Sequence, residues 1–201
     1  MALRTMKQRA VFLDKDGTLI EDLPYNVDPN RIRLTLGADE ALATLYATGY
    51  QFIIITNQSG VARGYFSEEA LVAVETRLRD LLAREAGVPL AGFYYCPHHP
   101  DGVVPAYTRL CSCRKPAPGL LFRAAQDHNI DLRQSWFVGD ILNDVEAGRR
   151  AGCRTILLVN GHETEWVLEP HRCPDHLAVN FAEISYLITA VDEAVPLYLA
   201  S

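Results

Sequence analysis

The feature that most constrains this chain is an apolar run that stops at a polar cluster, Val11-Phe12-Leu13-Asp14-Lys15-Asp16-Gly17-Thr18. This pattern predicts a buried strand whose carboxyl end opens into a polar loop, the place where open α/β sheets bind ligands. Asp14 and Asp16 lie two residues apart, so both carboxylates can face one centre. One carboxylate could then attack a substrate while the other moves protons. An Asp-Gly turn with helix-capping chemistry is the alternative.

Composition restricts the possible partners. The 201 residues and 49% apolar content suit one domain, and no apolar run is long enough to cross a membrane. Residues 1–10, which include Arg4, lack the apolar stretch and cleavage site of a signal peptide. The net charge of −6 argues against a nucleic-acid groove. We therefore expect a cytoplasmic protein that binds neither membrane nor nucleic acid.

Strand and helix patterns alternate along the chain. Apolar runs predict buried strands at 11–13, 52–55, 93–95, 136–138 and 155–159. Helical spacing of apolar residues, or capping residues at the helix ends, predicts five helices. They lie over 38–48, from an N-cap at Ser67 to 82, from Pro118 to about His128, over 143–151 and over 181–191. The alternation predicts an α/β fold with a doubly wound parallel sheet, whose strand order it leaves open.

Polar clusters follow the predicted strands and should converge on one crevice. The first cluster is Asp14 to Thr18, and the other three are Thr56-Asn57-Gln58-Ser59-Gly60, Arg114-Lys115-Pro116 and Gly139-Asp140-Ile141-Leu142-Asn143-Asp144. Together they supply carboxylates, a hydroxyl with nearby amides and a fixed cation. A phosphoryl group needs neutralising donors, and several acidic residues beside it need a hard cation such as Mg²⁺. The four clusters therefore predict a phosphoryl-transfer site.

The order and type of these clusters resemble the four motifs of the haloacid dehalogenase superfamily of phosphatases, over residues 10 to 159. The resemblance implies that Asp14 attacks phosphorus and forms an aspartyl-phosphate. It implies that Asp16 is the general acid and base, and that Thr56 and Lys115 hold the phosphoryl oxygens. It also implies a Mg²⁺ site made of Asp14, Asp140 and the backbone carbonyl of Asp16.

Asp144 lies four residues after Asp140, so a helix would place both carboxylates on one face. Asp144 is then either a metal ligand or a partner of Lys115, and we favour the partner.

Three cysteines fall within one short segment, and in a cytoplasmic protein this indicates a metal before disulfides. Cys96-Pro97-His98 and Cys111-Ser112-Cys113 match the spacing of a tetrahedral Cys₃His zinc site. Such a closed site has a structural role: it would order the loop and fix Arg114 and Lys115 directly after its last ligand. His99 competes with His98 as the fourth ligand.

Longer segments narrow the resemblance to the D-glycero-D-manno-heptose 1,7-bisphosphate 7-phosphatases. These are Thr-Asn-Gln-Ser-Gly-Val-Ala-Arg-Gly at 56–64, Tyr-Tyr-Cys-Pro-His-His-Pro at 94–100 and Cys-Ser-Cys-Arg-Lys-Pro at 111–116. The resemblance favours His98 over His99 as zinc ligand. It implies a fold without a large cap domain. It places substrate contacts, beyond those already named, on Asp22, Tyr25, Asn57, Gln58, Ser59 and Arg114. Arg63 is either a further contact or a residue that stabilises its loop.

The resemblance implies a Mg²⁺-dependent phosphatase with structural zinc that releases the 7-phosphate of a heptose 1,7-bisphosphate, for nucleotide-heptose and lipopolysaccharide synthesis. Histidinol-phosphate phosphatase or another sugar-phosphate phosphatase is the alternative. Relatives often carry Lys directly after the fourth-motif Asp, whereas this chain has Ile141. The preferred anomer is therefore open. A catalytically silent zinc-stabilised binding module is a rival of another class.

We expect one domain over 1–201, with a core at about 10–160, the zinc loop at 96–113 and a C-terminal strand and helix extension at 161–201. A monomer suffices, since no lid from a partner is needed to complete the site. His162, His171, Cys173 and His176 have no standard metal spacing, and we expect structural roles for them.

Overall fold

The computed structural model describes residues 7–198, with side chains of the last helix as far as residue 194. Arg4 and the rest of segment 1–6 lie outside the described residues. The centre is a six-stranded parallel sheet of order β3-β2-β1-β4-β5-β6. Its strands are β1 (Arg9–Leu13), β2 (Tyr50–Asn57), β3 (Leu90–Cys96), β4 (Trp136–Gly139), β5 (Arg154–Leu158) and β6 (His176–Ala178).

Helices cover both faces of the sheet. They are α1 (Ala38–Ala47), α2 (Ala70–Leu81, continued by a π-helical turn over Leu82–Ala86), α3 (Gly119–Asp127), α4 (Leu142–Ala151) and α5 (Phe181–Tyr198). Short 3₁₀ turns lie at Pro29–Arg31 and Leu132–Gln134. None of the helices in residues 7–198 is long and apolar enough to cross a bilayer.

Alternate residues of β1 face two different cores. Val11 and Leu13 pack in the core formed with α1, α2 and α5. Ala10 and Phe12 face the other core, formed with α3 and α4. Each fully buried Leu or Phe contributes about 2 kcal/mol. The predicted doubly wound parallel sheet is therefore confirmed, and its order reverses between β1 and β4, which places a ligand crevice above the carboxyl end of β1.

The helix predicted to begin directly after Ser67, at residue 68, begins two residues later at Ala70. The backbone N–H groups of Ala70 and Leu71 donate to the carbonyls of Ser67 and Glu68, which makes residues 67–69 a turn before the helix. The helix therefore has no side-chain N-cap, and the prediction of Ser67 in that position is wrong. The helices predicted over 38–48, 118–128 and 143–151 lie within one residue of those bounds, whereas the last helix begins at Phe181 as predicted and continues to Tyr198, beyond the predicted end at 191.

The C-terminal extension is part of the sheet and its packing. β6 pairs in parallel with β5. In α5, Asp192 lies 2.7 Å from the Arg9 guanidinium and accepts hydrogen bonds of 3.1 Å from the Tyr50 hydroxyl. Within residues 7–198 the longest connections between these elements are 14–37 and 97–118, which are too short to form a large cap domain.

Candidate active site

A polar cavity of about 300 Å³ lies above the carboxyl ends of β1, β2 and β4. Its lining residues are Asp14, Asp16, Asp22, Thr56, Asn57, Ser59, Arg114, Lys115, Asp140, Ile141, Asn143 and His162. The fold thus brings together residues from all four polar clusters, because parallel strands present their carboxyl ends at one edge of the sheet.

Lys115 is the fixed cation of this cavity and is 3% exposed. Its Nζ lies 2.7 Å from Asp14 Oδ1 and 2.7 Å from Asp144 Oδ1, and it donates to the carbonyl of Ile55 at 3.1 Å. The ammonium group thus contacts two carboxylates as ion pairs and one backbone carbonyl through a hydrogen bond. Burial opposes the charge of Lys115, but the two carboxylates outweigh burial and raise its pKa. Lys115 is therefore held charged beside Asp14.

The site holds more negative than positive charge. Asp14, Asp140 and Asp144 each offer an oxygen, and these oxygens all lie within 4.8 Å of one another. Burial raises the pKa of Asp14 to about 7, although Lys115 acts to lower it. Burial also raises the pKa of Asp140. Three close carboxylates carry more negative charge than one ammonium group can neutralise, which favours binding of a hard cation. An all-oxygen donor set suits Mg²⁺. The donor set thus fits the predicted metal.

Asp144 does not line the cavity and instead contacts groups of the protein. Besides Lys115, it accepts a hydrogen bond of 3.3 Å from the backbone N–H of Ile141 through Oδ2, which caps the start of α4. Both of its oxygens are therefore engaged by groups of the protein. This geometry supports the interpretation of Asp144 as a partner of Lys115.

Asp16 is held by two donors. Lys15 Nζ lies 2.5 Å from its Oδ1, and Gln58 Nε2 donates to its Oδ2 at 3.1 Å. Gln58 Nε2 also donates to Thr56 Oγ1 at 3.0 Å. The carboxylate of Asp16 thus has a partner set distinct from that of Asp14, which separates the environments of the two groups. Different environments allow two carboxylates to take different roles in one reaction.

Asn57 connects the end of β2 to the segment that carries Lys115. Its Oδ1 accepts from the backbone N–H of Lys115 at 3.0 Å, and its Nδ2 donates to the Lys115 carbonyl at 3.2 Å. Arg114, the preceding residue, lines the cavity, and its guanidinium donates to the carbonyl of His98 at 3.5 Å. The position of both cations is therefore tied to the loop before them.

That loop carries a second cluster that could hold a metal, formed by Cys96, His98, Cys111 and Cys113. The three sulfur atoms lie 3.1, 3.2 and 3.5 Å apart, and His98 Nδ1 lies 3.3 Å from Cys113 Sγ. Ligands at 2.3 Å from a tetrahedral zinc are about 3.8 Å apart, so the group is close to that arrangement. All three cysteines are free thiols. His99 faces elsewhere, with its Nε2 3.3 Å from the Arg63 guanidinium.

Two of the residues predicted to contact substrate do not line the cavity. Gln58 is buried beneath it and bonds Asp16 and Thr56. Tyr25 is half exposed and packs edge-on against Tyr65, with ring centroids 4.7 Å apart. Their predicted contacts with substrate stay predictions. Asp22, Asn57, Ser59 and Arg114 do line the cavity.

His162, for which we expected a structural role, lies in the cavity wall. Its Nδ1 lies 2.6 Å from Asp140 Oδ2. The sequence carries a signal that could have found it, since Asn160 and His162 follow the end of β5 directly and so lie at the same edge of the sheet. The spacing of the histidines and the cysteine around it matches no standard metal site, so no motif marks this position.

Comparisons with known proteins agree with this architecture. Residues 112–184 match the model of the family described as "HAD-hyrolase-like". The D-glycero-beta-D-manno-heptose-1,7-bisphosphate 7-phosphatase of Pasteurella multocida is 43% identical over 152 residues, which cover 76% of this chain and 82% of that protein. The D-glycero-alpha-D-manno-heptose-1,7-bisphosphate 7-phosphatase of Photorhabdus laumondii is 39% identical over 159 residues, or 79% of this chain and 86% of that protein.

A solved structure has the same fold. It is the D,D-heptose 1,7-bisphosphate phosphatase of B. bronchiseptica complexed with magnesium and phosphate, which matches with a TM-score of 0.73 at 28% identity. The match covers 91% of this chain and 99% of that one. Because the similarity to these phosphatases extends over most of each chain, this chain belongs to the D-glycero-D-manno-heptose 1,7-bisphosphate 7-phosphatase family of the haloacid dehalogenase superfamily.

Proposed function

We propose that this protein hydrolyses the 7-phosphate of D-glycero-D-manno-heptose 1,7-bisphosphate, with Asp14 as nucleophile. The observation that carries the proposal is the buried Asp14–Lys115 ion pair at the floor of a polar cavity, at the switch point of the sheet. The names of the relatives support the substrate. A cytoplasmic location, a single domain over 1–201 and a monomer without nucleic-acid or membrane partners are part of the proposal.

The residues divide the chemistry between them. Asp14 attacks phosphorus and becomes an aspartyl-phosphate while the sugar oxygen leaves. Asp16 gives its proton to that oxygen and then takes one from the water that hydrolyses the intermediate. Lys115 and Thr56 hold phosphoryl oxygens, and Lys115 offsets repulsion between two anions.

Mg²⁺ would be held by Asp14, Asp140 and the backbone carbonyl of Asp16, and when bound it supplies further neutralisation of the phosphoryl charge. Ligation through the carbonyl would keep the side chain of Asp16 off the metal, as its role in proton transfer requires. Zinc would be held by Cys96, His98, Cys111 and Cys113 and would order the loop that ends at Arg114. A reducing location keeps those thiols available as ligands.

Arg114 is the group that the cavity offers to a second anion. It lines the wall, and a guanidinium can bind two phosphate oxygens at once. Ile141 lines the same cavity at the position where the resemblance leads us to expect Lys, so Arg114 carries more of this role here. The matched relatives include enzymes named for the alpha and for the beta anomer, so sequence identity does not select the anomer.

The test is steady-state phosphate release with Mg²⁺ from both anomers of heptose 1,7-bisphosphate, histidinol phosphate and an aryl phosphate. We expect one heptose anomer to exceed the other substrates in kcat/KM by about 100-fold, or about 2.7 kcal/mol of transition-state discrimination. Preference for histidinol phosphate would replace the substrate assignment. Equal slow turnover of every ester would leave the phosphatase chemistry and contradict the heptose assignment.

A further inference from the structure

The segment after β5 makes polar contacts to both of the loops that would hold Mg²⁺. Asn160 Nδ2 donates to the carbonyl of Gly17 at 2.6 Å, on the loop after β1. Glu163 Oε2 accepts from the backbone N–H of Leu142 at 2.5 Å, on the first turn of α4. Between these two anchors lies His162, beside Asp140. Segment 160–163 therefore spans the edge of the site from β1 to α4.

The side chain of Asp140 is only 5% exposed, and both of its carboxylate oxygens have a partner in the protein. Thr18 Oγ1 donates to Oδ1 at 3.1 Å, and His162 Nδ1 lies 2.6 Å from Oδ2. A carboxylate with both oxygens hydrogen-bonded has its rotation fixed. Neighbours that hydrogen-bond a metal ligand orient it and tune its affinity for the metal.

We propose that His162 is a positioning residue for the metal site: its Nδ1–H donates to Asp140 Oδ2 and fixes the carboxylate that binds Mg²⁺. This inference rests on the proposed Mg²⁺ site. The 2.6 Å between His162 Nδ1 and Asp140 Oδ2 is a short hydrogen-bond distance, so we assign the imidazole as a donor to the carboxylate and not as a ligand of the metal.

Gly17 makes this approach possible. A Cβ at position 17 would lie 2.3 Å from Asp140 Oδ2 and 2.4 Å from His162 Nδ1, and the residue has φ of +75°. Both the space and the backbone conformation therefore require glycine there. Gly17, Asp140 and His162 therefore lie in close contact in this part of the site.

The test measures Mg²⁺ binding by isothermal titration calorimetry on the full-length protein, without substrate. In His162→Ala we expect the Kd to rise at least about 10-fold, the usual cost of losing a group that orients a ligand. In His162→Asn, whose amide nitrogen can occupy the place of Nδ1, we expect a Kd within about 3-fold of the original. His171→Ala, an exposed histidine in the same connection, is the matched control and should bind like the original protein.

Folding is checked by the thermal midpoint of each variant in the absence of Mg²⁺. An unchanged Kd in a folded His162→Ala would overturn the inference, as would failure of His162→Asn to restore binding. If the alanine variant does not fold, Mn²⁺ in the original protein gives an independent answer. Pulsed electron paramagnetic resonance should show no nitrogen bonded to Mn²⁺, and such a nitrogen would make His162 a ligand and contradict the proposal.

These outcomes separate the inference from the proposed function. If the original protein binds Mg²⁺ and His162→Ala binds it equally well, only the role of His162 fails. If the original protein binds no Mg²⁺, the proposed metal site fails and this inference fails with it. Activity toward a heptose bisphosphate enters neither result.

Discussion

The side chains of the two clusters that could hold metals are held in place in different ways. The carboxylates Asp14, Asp140 and Asp144 are buried: the first two follow the ends of β1 and β4, and the third lies in the first turn of α4. Lys115 pairs with Asp14 and Asp144. The Cys₃His cluster lies on a loop with few buried apolar residues, and three of its four ligands are partly exposed. The comparison contrasts a site that the sheet organises with a loop that the proposed zinc would organise.

This difference predicts which loss affects activity and which affects structure. Loss of Mg²⁺ should stop turnover and leave the sheet intact, since Lys115 still pairs with two carboxylates. Loss of zinc should release the loop and displace Arg114 and Lys115, because both follow Cys113 directly. The predictions below test this contrast, in order of expected effect.

The largest effect is expected from Asp14→Asn, which removes the nucleophile. Phosphate release should fall at least about 10³-fold, because no other group can form the covalent intermediate. The fold should survive, since the change removes one of three close carboxylates. Asp101→Asn, on the surface of the zinc loop, is the control and should keep normal activity. Normal hydrolysis by Asp14→Asn would refute the assignment of the nucleophile.

Lys115→Met should destabilise the protein as well as inactivate it. The change leaves Asp14 and Asp144 buried without their cation, which costs about 3–5 kcal/mol of unfolding free energy. Denaturation by urea measures this loss. The double variant Lys115→Met with Asp144→Asn should recover part of the stability and none of the activity. Full stability in the single variant would mean that the buried charges are neutralised in some other way.

Cys111→Ser should lose zinc and weaken catalysis indirectly. We expect zinc content to fall below one per chain, loop 97–110 to become sensitive to proteolysis, and kcat/KM to fall roughly 10-fold as Arg114 and Lys115 lose their anchor. Cys173→Ser, an exposed cysteine outside the cluster, is the matched control and should keep its zinc. Substoichiometric zinc in the original protein, together with unchanged stability in Cys111→Ser, would contradict the zinc assignment.

A smaller, selective effect is expected at Arg114. Arg114→Met should lower kcat/KM for a bisphosphate by about 10-fold and leave that for a monophosphate nearly unchanged, because the guanidinium would contact only the second anion. Ile141→Lys in this variant should restore part of the loss by supplying another cation in the same cavity. Equal losses on both substrates would place Arg114 at the reacting phosphate or in the structure of the loop.

Local signals predicted much of the fold and of the site. The apolar runs that end at Asp14, Thr56 and Asp140 predicted strands and the sheet edge where the residues meet, because strand ends in a parallel sheet converge. Strand order depends on pairings between segments that are distant in sequence, so local patterns could not predict it. Gln58 could not be placed, since whether a side chain lines a cavity or lies beneath it depends on packing.

His162 shows the same limit from the other side. Its place after β5 points to this edge of the sheet, but its contact with Asp140 joins residues 22 positions apart and depends on the pairing of β4 and β5. Lys15 is another case: next to two carboxylates it has the pattern of an exposed loop residue, yet it is 1% exposed and bonded to Asp16. Burial of a charged group depends on tertiary contacts that local pattern does not contain.

The most direct measurement is to trap the covalent intermediate with sodium borohydride during turnover of heptose 1,7-bisphosphate. Borohydride reduces an aspartyl-phosphate to homoserine, which peptide mass spectrometry locates in the chain. We predict homoserine at position 14, only in the presence of both substrate and Mg²⁺, and none in Asp14→Asn. Homoserine at another carboxylate, such as Asp16 or Asp140, would contradict the assignment of Asp14 as the nucleophile.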